Sequence, residues 1–246
     1  MNAMPALVAD IVRSSFVDGP GNRYVVFFQG CTFNCLACHN PHTIGVHPTA
    51  DTRQMSVSEI VADVAESAPF ISGVTVSGGE ATCQSTVVAE LFAQLAGDPR
   101  TAHLTRLVDS NGDADRVVWE SLAPGMHGAM IDLKAFDDDV HQLLTGRSNQ
   151  RVLQSLRCLD ELDRLAEIRL LVVPGLNDDA EMLARTARWI GELASTPRIR
   201  VIAFRHAGTR PIARRLREAT SADIEAVVTV LVAQGIDRAR IAASVS

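Results

Sequence analysis

Cysteine, surplus positive charge and long apolar runs are all in short supply in this chain, and each shortage excludes a class of protein. Five cysteines in 246 residues are too few, and odd in number, for a secreted disulfide scaffold. The formal net charge of −6 argues against a general nucleic-acid binder, whose affinity needs clustered cations facing phosphate. No segment approaches the roughly 20 apolar residues that span a bilayer, so no membrane association is expected. The stretch from Met1 to Val12 lacks a basic start and is interrupted by Pro5 and Asp10, so it does not read as a signal peptide. No linker, low-complexity run or domain boundary is visible. The expectation is a soluble, cytoplasmic protein forming one domain over residues 1–246, in which thiols stay available as metal ligands. With 47% apolar residues it can bury a sizeable core, and α/β barrels commonly occupy this length as one unit.

The cysteine that is present is concentrated. Cys31, Cys35 and Cys38 follow a C-x3-C-x2-C spacing, with His39 and Asn40 immediately after. Cubane iron–sulfur clusters are usually held by four thiolates, and only three are offered here. One iron would then keep an open position for a small molecule, which marks catalysis rather than structure. Adding His39 gives a Cys3His set suited to zinc, although structural zinc modules usually draw their ligands as two separated pairs. The spacing favours a cluster and keeps zinc as the alternative. Cys83 and Cys158 stand alone in apolar or helical surroundings and read as small buried hydrophobes. Arg210, Arg214, Arg215 and Arg217 form the one basic cluster, expected to be a solvated helix face that could also receive an acidic partner.

Strand-like and helix-like stretches alternate along the chain. Residues 23–29, 71–77, 104–109, 128–133, 168–173 and 198–204 are short, apolar and rich in Val, Ile and Phe, as strands covered on both faces are. Ser56-Val57-Ser58-Glu59 forms a capping box, with Val57, Ile60, Val61 and Val64 on one face until Pro69 stops the helix. Further helices are expected over 85–96, from a cap at Asp178 or Asp179 through Ile190, and from Thr220 or Ser221 through Val232. An early strand over 7–12 forms a hairpin with 23–29 across the turn Asp18-Gly19-Pro20-Gly21. The fold class is therefore α/β, a partial (β/α)6 TIM-like barrel, with an N-terminal hairpin (1–30), a cluster loop (31–40) and a C-terminal helix and tail (220–246).

In such folds chemistry gathers at the C-terminal ends of the strands. Gln29-Gly30 leads from the first of these strands into the cysteine loop. Ser77-Gly78-Gly79-Glu80 ends the second, Asp109-Ser110-Asn111-Gly112 the third, Asp132-Leu133-Lys134 the fourth and Arg205-His206 the sixth. A Gly-Gly turn lets a ligand approach main-chain carbonyls, and Glu80 could hold an ammonium group. Arg169, inside the fifth strand, needs an anion nearby, either a protein carboxylate such as Asp132 or a ligand carboxylate. Glu80 and Arg169 together describe a pocket for an amino acid, whose amino and carboxylate groups can also chelate an open iron.

These motifs together resemble the radical S-adenosylmethionine enzymes. Asp18-Gly19-Pro20-Gly21, Cys38-His39-Asn40-Pro41, Asp109-Ser110-Asn111-Gly112, Asp132-Leu133-Lys134, His141 with Leu144-Thr145-Gly146, and Val172-Val173-Pro174-Gly175 look like glycyl-radical-enzyme activating enzymes of the pyruvate formate-lyase activase type. Residues 73–84, 107–112 and 144–150 look most like the YjjW-type branch. The resemblance implies that Cys31, Cys35 and Cys38 bind a [4Fe–4S] cluster whose fourth iron is chelated by S-adenosylmethionine. It further implies that Gly78, Gly79 and Glu80 receive the methionine amino group, and that Lys134 and Arg169 hold its carboxylate and neighbouring polar groups. Asn40 would lie near the adenosyl moiety, and Asp18 would border the entry for the partner's glycine loop. Asp109, Ser110, Met130 and Asp132 match positions surrounding a monovalent cation. One electron, supplied by a flavodoxin or ferredoxin-type donor, would cleave the sulfonium to methionine and a 5′-deoxyadenosyl radical. That radical would remove a glycine Cα hydrogen from a partner glycyl radical enzyme met transiently by a monomer. The alternative is a radical enzyme of the same superfamily acting on a small molecule or peptide.

Three departures from the activase pattern stand out. Ala37 precedes the third cysteine where many relatives carry an aromatic. Residues 39–55 contain no further cysteine, so the ferredoxin-like insert is missing and a single cluster is expected. Where activases place a cofactor-side histidine after the sixth strand, this chain has Arg205, with His206 one step on; His206 is kept as a cofactor-binding candidate, beside the reading in which it faces solvent if the strand continues.

Overall fold

The computed structural model describes residues 4–244; the first three residues of the expected hairpin region and the last two of the tail lie outside the described residues. The chain divides into two compact units. The first comprises Met1–Thr32, His42–Ser110 and Ala114–Met130, and the second Phe33–Pro41, Asn111–Asp113 and Ile131–Ser246.

In the first unit, β1 (Ala6–Ser15) pairs antiparallel with β2 (Arg23–Phe28), as the turn at Asp18–Gly21 predicts. A short β3 (Arg53–Met55), which the apolar pattern did not reveal, adds to the outer edge of β1. β4 (Gly73–Gly78) runs parallel to β2, and β5 (Thr105–Ser110) parallel to β4. The strand order continues to β6 (Gly128–Asp132), which passes from the first unit to the second between Met130 and Ile131. Val26, Phe28, Val74, Val76 and Val108 are buried, each contributing about 1.5–3 kcal/mol of transfer free energy.

Helix α1 (Val57–Ser67) starts at the expected box: the Ser56 hydroxyl accepts from Glu59 N–H at 3.2 Å and the Glu59 carboxylate from Ser56 N–H at 2.7 Å. Its buried residues are the four predicted from periodicity. Helix α2 (Ser85–Gly97) follows β4, and α3 (Arg116–Leu122) follows β5.

In the second unit, β6 is followed in strand order by β7 (Leu165–Val172), β8 (Arg198–Ala203) and a terminal β9 (Ile241–Ser244), with β7–β8 and β8–β9 parallel. Helices α4 (Asp138–Thr145) and α5 (Gln150–Glu161) lie between β6 and β7, α6 (Ala180–Gly191) precedes β8, and α7 (Ser221–Ala233) precedes β9. Asp179 caps α6 and Thr220 caps α7. Helices α3 and α4 are too short for periodicity to reveal, whereas α5 carries Val152, Leu156 and Leu159 on one face, a helical spacing visible in the sequence.

Two expectations need correction. Cys83 is exposed, on the 3₁₀ turn Ala81–Gln84, because that turn points its side chain outward after the buried Ala81 and Thr82; Cys158 is buried as expected. The arginine cluster is not a helix face. Pro211–Arg215 is a 3₁₀ turn, Arg217 pairs with Asp223 at 2.8 Å, and Arg210 reaches backbone carbonyls of the cysteine loop.

One buried cation in β2 was read only as part of an apolar strand. Arg23 is fully buried and donates to Thr75 Oγ1 at 3.1 Å, Thr105 Oγ1 at 2.6 Å and the carbonyls of Val74 and Thr105 at 2.7 and 3.1 Å. Burial lowers its pKa to about 10, still far above neutrality.

Candidate active site

In the first unit, the end of β2 and the end of β4 are joined through their backbones. Gly79 N–H donates to Phe28 O at 2.9 Å and Glu80 N–H to Gly30 O at 2.7 Å. The residues leading into Cys31 are in turn held by Gly30 N–H to Thr43 O at 2.8 Å and Cys31 N–H to Ile44 O at 3.1 Å. A Cβ on Gly79 would lie 2.3 Å from Gly30 O and 2.6 Å from Thr43 O, so only glycine permits this approach. Gly78 has φ +122°, which also excludes other residues at low cost.

Glu80 follows at once and is 1% exposed. Its Oε1 accepts from Thr82 N–H at 2.9 Å, Thr82 Oγ1 at 2.7 Å and Ser110 Oγ at 2.7 Å. These donors orient the carboxylate. Ser77 Oγ donates to Asp109 Oδ2 at 2.8 Å on the neighbouring strand. Asp18 accepts from Ser15 through its carboxylate and from Thr75 Oγ1, at 2.8 Å, through its carbonyl. Met130 is buried within β6. The structure thus brings Gly78, Gly79, Glu80 and Ser110 together with the chain that leads into Cys31.

In the second unit, the cysteine loop is irregular and its backbone groups need partners. Asn34 N–H donates to Thr145 O at 3.0 Å and Leu36 N–H to Leu144 O at 2.8 Å, both carbonyls at the end of α4. Cys38 N–H closes a turn on Cys35 O at 3.4 Å. His39 Nε2 lies 3.0 Å from Arg205 O. Ala37 is buried among Leu144, Val173, Met182 and Phe204, so position 37 faces a packed cluster where a larger side chain would overpack. Phe33 meets the buried His141 edge-on, with ring centroids 5.5 Å apart. Asn40 is half-buried at the end of the loop.

Asp132 and Lys134, two apart at the end of β6, form an ion pair at 2.7 Å. Lys134 is the only lysine in the chain. Every other permanent cation is an arginine, so a compact ammonium is reserved for this position, a compositional signal the motif reading passed over. Arg169 Nε donates to Glu167 Oε1 at 2.8 Å, and Arg200 Nε lies 3.2 Å from the same oxygen. Glu167 is thus a carboxylate partner of Arg169 from its own strand. It was missed because the strand was read from residue 168, although a spacing of two places Glu167 on the same face. His206 is taken up by its own loop: Nε2 is 2.8 Å from Leu216 O, and Nδ1 is 3.6 Å from Glu218 Oε1.

Desolvation pushes the Cys35 thiol up to about 11, with the charge of Lys134 opposing the shift. A thiolate there calls for a cationic metal to compensate its charge. Among the described residues no three His, Cys, Asp or Glu side chains converge on a single metal-ion position. Zinc needs its donors within about 2.0–2.3 Å of one point, whereas a cubane places each thiolate on a different iron. Three thiolate donors, each able to serve its own iron, are the donor chemistry of a cluster.

The sequence matches the radical SAM superfamily over residues 25–189. The chain belongs to that superfamily, whose members use a [4Fe–4S] cluster and S-adenosylmethionine, and it is an enzyme of the activase type. It is 32% identical over 222 residues to the pyruvate formate-lyase-activating enzyme of Staphylococcus aureus, covering 86% of this chain and 88% of that one. Among solved structures it is similar to a domain of pyruvate-formate lyase-activating enzyme from Bacteroides vulgatus, with a TM-score of 0.58 and 21% identity over 70% of this chain and 98% of that one. A radical SAM methyltransferase from Sphaerobacter thermophilus gives a TM-score of 0.68 at 17% identity, over 90% of this chain and 66% of that one. These structural likenesses show the shared α/β fold, the partial barrel expected from the alternating strands and helices. Among the described residues no helix is long and apolar enough to cross a membrane.

Proposed function

We propose that this protein activates a glycyl radical enzyme. The observation that carries the reading is the backbone junction of Gly78-Gly79-Glu80 with Phe28–Gly30, which puts a glycine loop and an oriented carboxylate directly beside the entry to the cysteine motif. Its similarity to the Staphylococcus aureus activating enzyme over most of both chains supports the same reading. Cys31, Cys35 and Cys38 would hold one [4Fe–4S] cluster, which when bound supplies one electron to the sulfonium, breaking a C–S bond to give methionine and a 5′-deoxyadenosyl radical that takes a glycine Cα hydrogen.

The chain's own residues bind and orient. Glu80, fixed by Thr82 and Ser110, receives the methionine ammonium, with Gly78 and Gly79 admitting it to main-chain carbonyls. Lys134 and Arg169 hold the carboxylate end, and Asn40 the adenosyl group. Asp109, Ser110, Met130 and Asp132 are assigned to a monovalent cation beside the cofactor. His206, bound to Leu216 and Glu218, would reach the cofactor only by leaving those partners. Asp18 borders the entry for the partner's glycine loop. The whole chain acts as one domain, and the electron comes from a flavodoxin or ferredoxin-type donor.

The test is anaerobic reconstitution, reduction with dithionite and mixing with glycyl radical proteins of the same organism. Release of 5′-deoxyadenosine together with a glycyl-radical signal in electron paramagnetic resonance is expected, with about four irons per chain. Cys35→Ala should abolish both readouts. Persistent 5′-deoxyadenosine without the radical signal would instead assign the chain to small-molecule or peptide chemistry. Clearly more than four irons per chain would overturn the single cluster.

A further inference from the structure

Arg210 lies far in sequence from the cysteine motif, yet its guanidinium is spent on that loop's backbone. Nη1 donates to Asn34 Oδ1 at 2.6 Å, and Nη2 to Asn34 O at 3.2 Å and Cys35 O at 2.6 Å. The Cys35 carbonyl is also the acceptor that closes the turn to Cys38 N–H. One cation therefore fixes the oxygen on which the Cys35–Cys38 spacing depends. The loop's N–H groups at Asn34 and Leu36 are already taken by Thr145 and Leu144, so α4 holds one edge of the loop and Arg210 the other. Pro211, next in the chain, fixes its own φ and starts the 3₁₀ turn Pro211–Arg215, which limits how far Arg210 can swing. Arg210 Nε is buried and has no hydrogen-bond partner among the described residues, leaving one donor of the fork facing away from solvent.

We propose that Arg210 is a positioning residue for the cluster loop, acting in two separable ways. Its planar fork fixes the turn between Cys35 and Cys38. Its permanent charge, held against the Cys35 carbonyl, stabilises the more negative, reduced form of a cluster on those cysteines and so raises its potential. The second effect rests on the cluster assignment above; the first does not.

The experiment uses the full-length chain under anaerobic conditions, with Arg210→Gln, Arg210→Lys and Asn34→Ala beside the unaltered protein. In metal-free protein, alkylation by iodoacetamide is followed site by site by mass spectrometry. Arg210→Gln should speed modification of Cys35 and Cys38 about tenfold, the size expected for losing one charge-assisted hydrogen bond. Exposed Cys83 should keep its rate, and buried Cys158 should stay protected, which reports an intact fold. Asn34→Ala, losing only the contact to Oδ1, should show a smaller increase at the same two sites. In reconstituted protein, Arg210→Gln should lose iron faster to a chelator and shift the cluster midpoint to a more negative potential. Arg210→Lys, with charge but no fork, should restore the potential and not the protection.

Unchanged alkylation of Cys35 and Cys38 in Arg210→Gln, with Cys158 protected, overturns the positioning role. An Arg210→Lys midpoint no closer to the unaltered protein than that of Arg210→Gln overturns the charge role. If the unaltered chain forms no cluster, the proposed function fails while the alkylation result still decides the role of the fork.

Discussion

Each unit buries a glutamate beside a strand terminus, Glu80 just past the end of β4 and Glu167 near the start of β7, and the donors on each Oε1 differ. In the first unit, Oε1 of Glu80 is held by a backbone amide and two hydroxyls. In the second, Oε1 of Glu167 lies against two guanidinium groups, those of Arg169 and Arg200. Neutral donors orient a carboxylate, whereas guanidinium groups also compensate its charge. The amide and the two hydroxyls on Oε1 of Glu80 fix the direction in which that carboxylate points. The Glu167 arrangement suits a charge that stabilises the fold and fixes two arginines in place.

Substitutions at the two glutamates should separate these roles. Glu167→Ala removes the carboxylate shared by two largely buried cations and should cost about 3–5 kcal/mol in urea unfolding, with a matching fall in soluble yield. A cost below about 1 kcal/mol would mean that the pair is too hydrated to matter. Glu80→Gln should leave the unfolding midpoint nearly in place and weaken S-adenosylmethionine binding to reconstituted protein by about 10- to 100-fold, read by calorimetry. If it unfolded the protein as Glu167→Ala does, the contrast would vanish.

Lys134→Arg tests whether the lone ammonium is chosen for charge or for size. Its partner Asp132 is two residues away at 2.7 Å, and a planar guanidinium cannot sit there in the same way. Roughly tenfold weaker binding with unchanged stability is the expected result. The smallest effect concerns pH. Burial lowers the pKa of His141, so the folded state keeps it neutral while the unfolded chain binds a proton near 6.5. Stability should therefore hold above that pH and fall on acidification through it, by at most about 1.4 kcal/mol per pH unit. His141→Gln should flatten this slope in thermal melts taken from pH 7 to 5; an unchanged slope would place the titration elsewhere.

How much was legible beforehand follows from the range of the forces involved. The capping box at Ser56, the apolar face of α1 and the six expected strands rest on local spacing, and all are present, with strand ends displaced by up to three residues. The glycine loop and Glu80 were visible because a turn needs particular residues at consecutive positions. Thr82 on Glu80 was not singled out, although its amide bond is that of a helix cap two residues on. Glu167 fell one residue short of an apolar run that a charged residue could not extend. Arg210 was invisible in principle, since nothing in its neighbourhood says that its partners lie 175 residues away. Short-range chemistry can be read from order alone, and contacts closed by the fold cannot.

Arg23 and Gly73 show how two positions in contact can answer to different constraints. The guanidinium fills the space beside Gly73, where an added Cβ would lie 2.3 Å from Nη1 and equally close to Thr105 O. Trimming the arginine would clear only the first of these collisions, because the carbonyl belongs to the backbone of the neighbouring strand. A smaller residue at 23 would abandon the Thr75 and Thr105 hydroxyls and two carbonyls at once. The glycine is fixed by the sheet and the arginine by its acceptors, so tolerance gained at 23 would not carry over to 73.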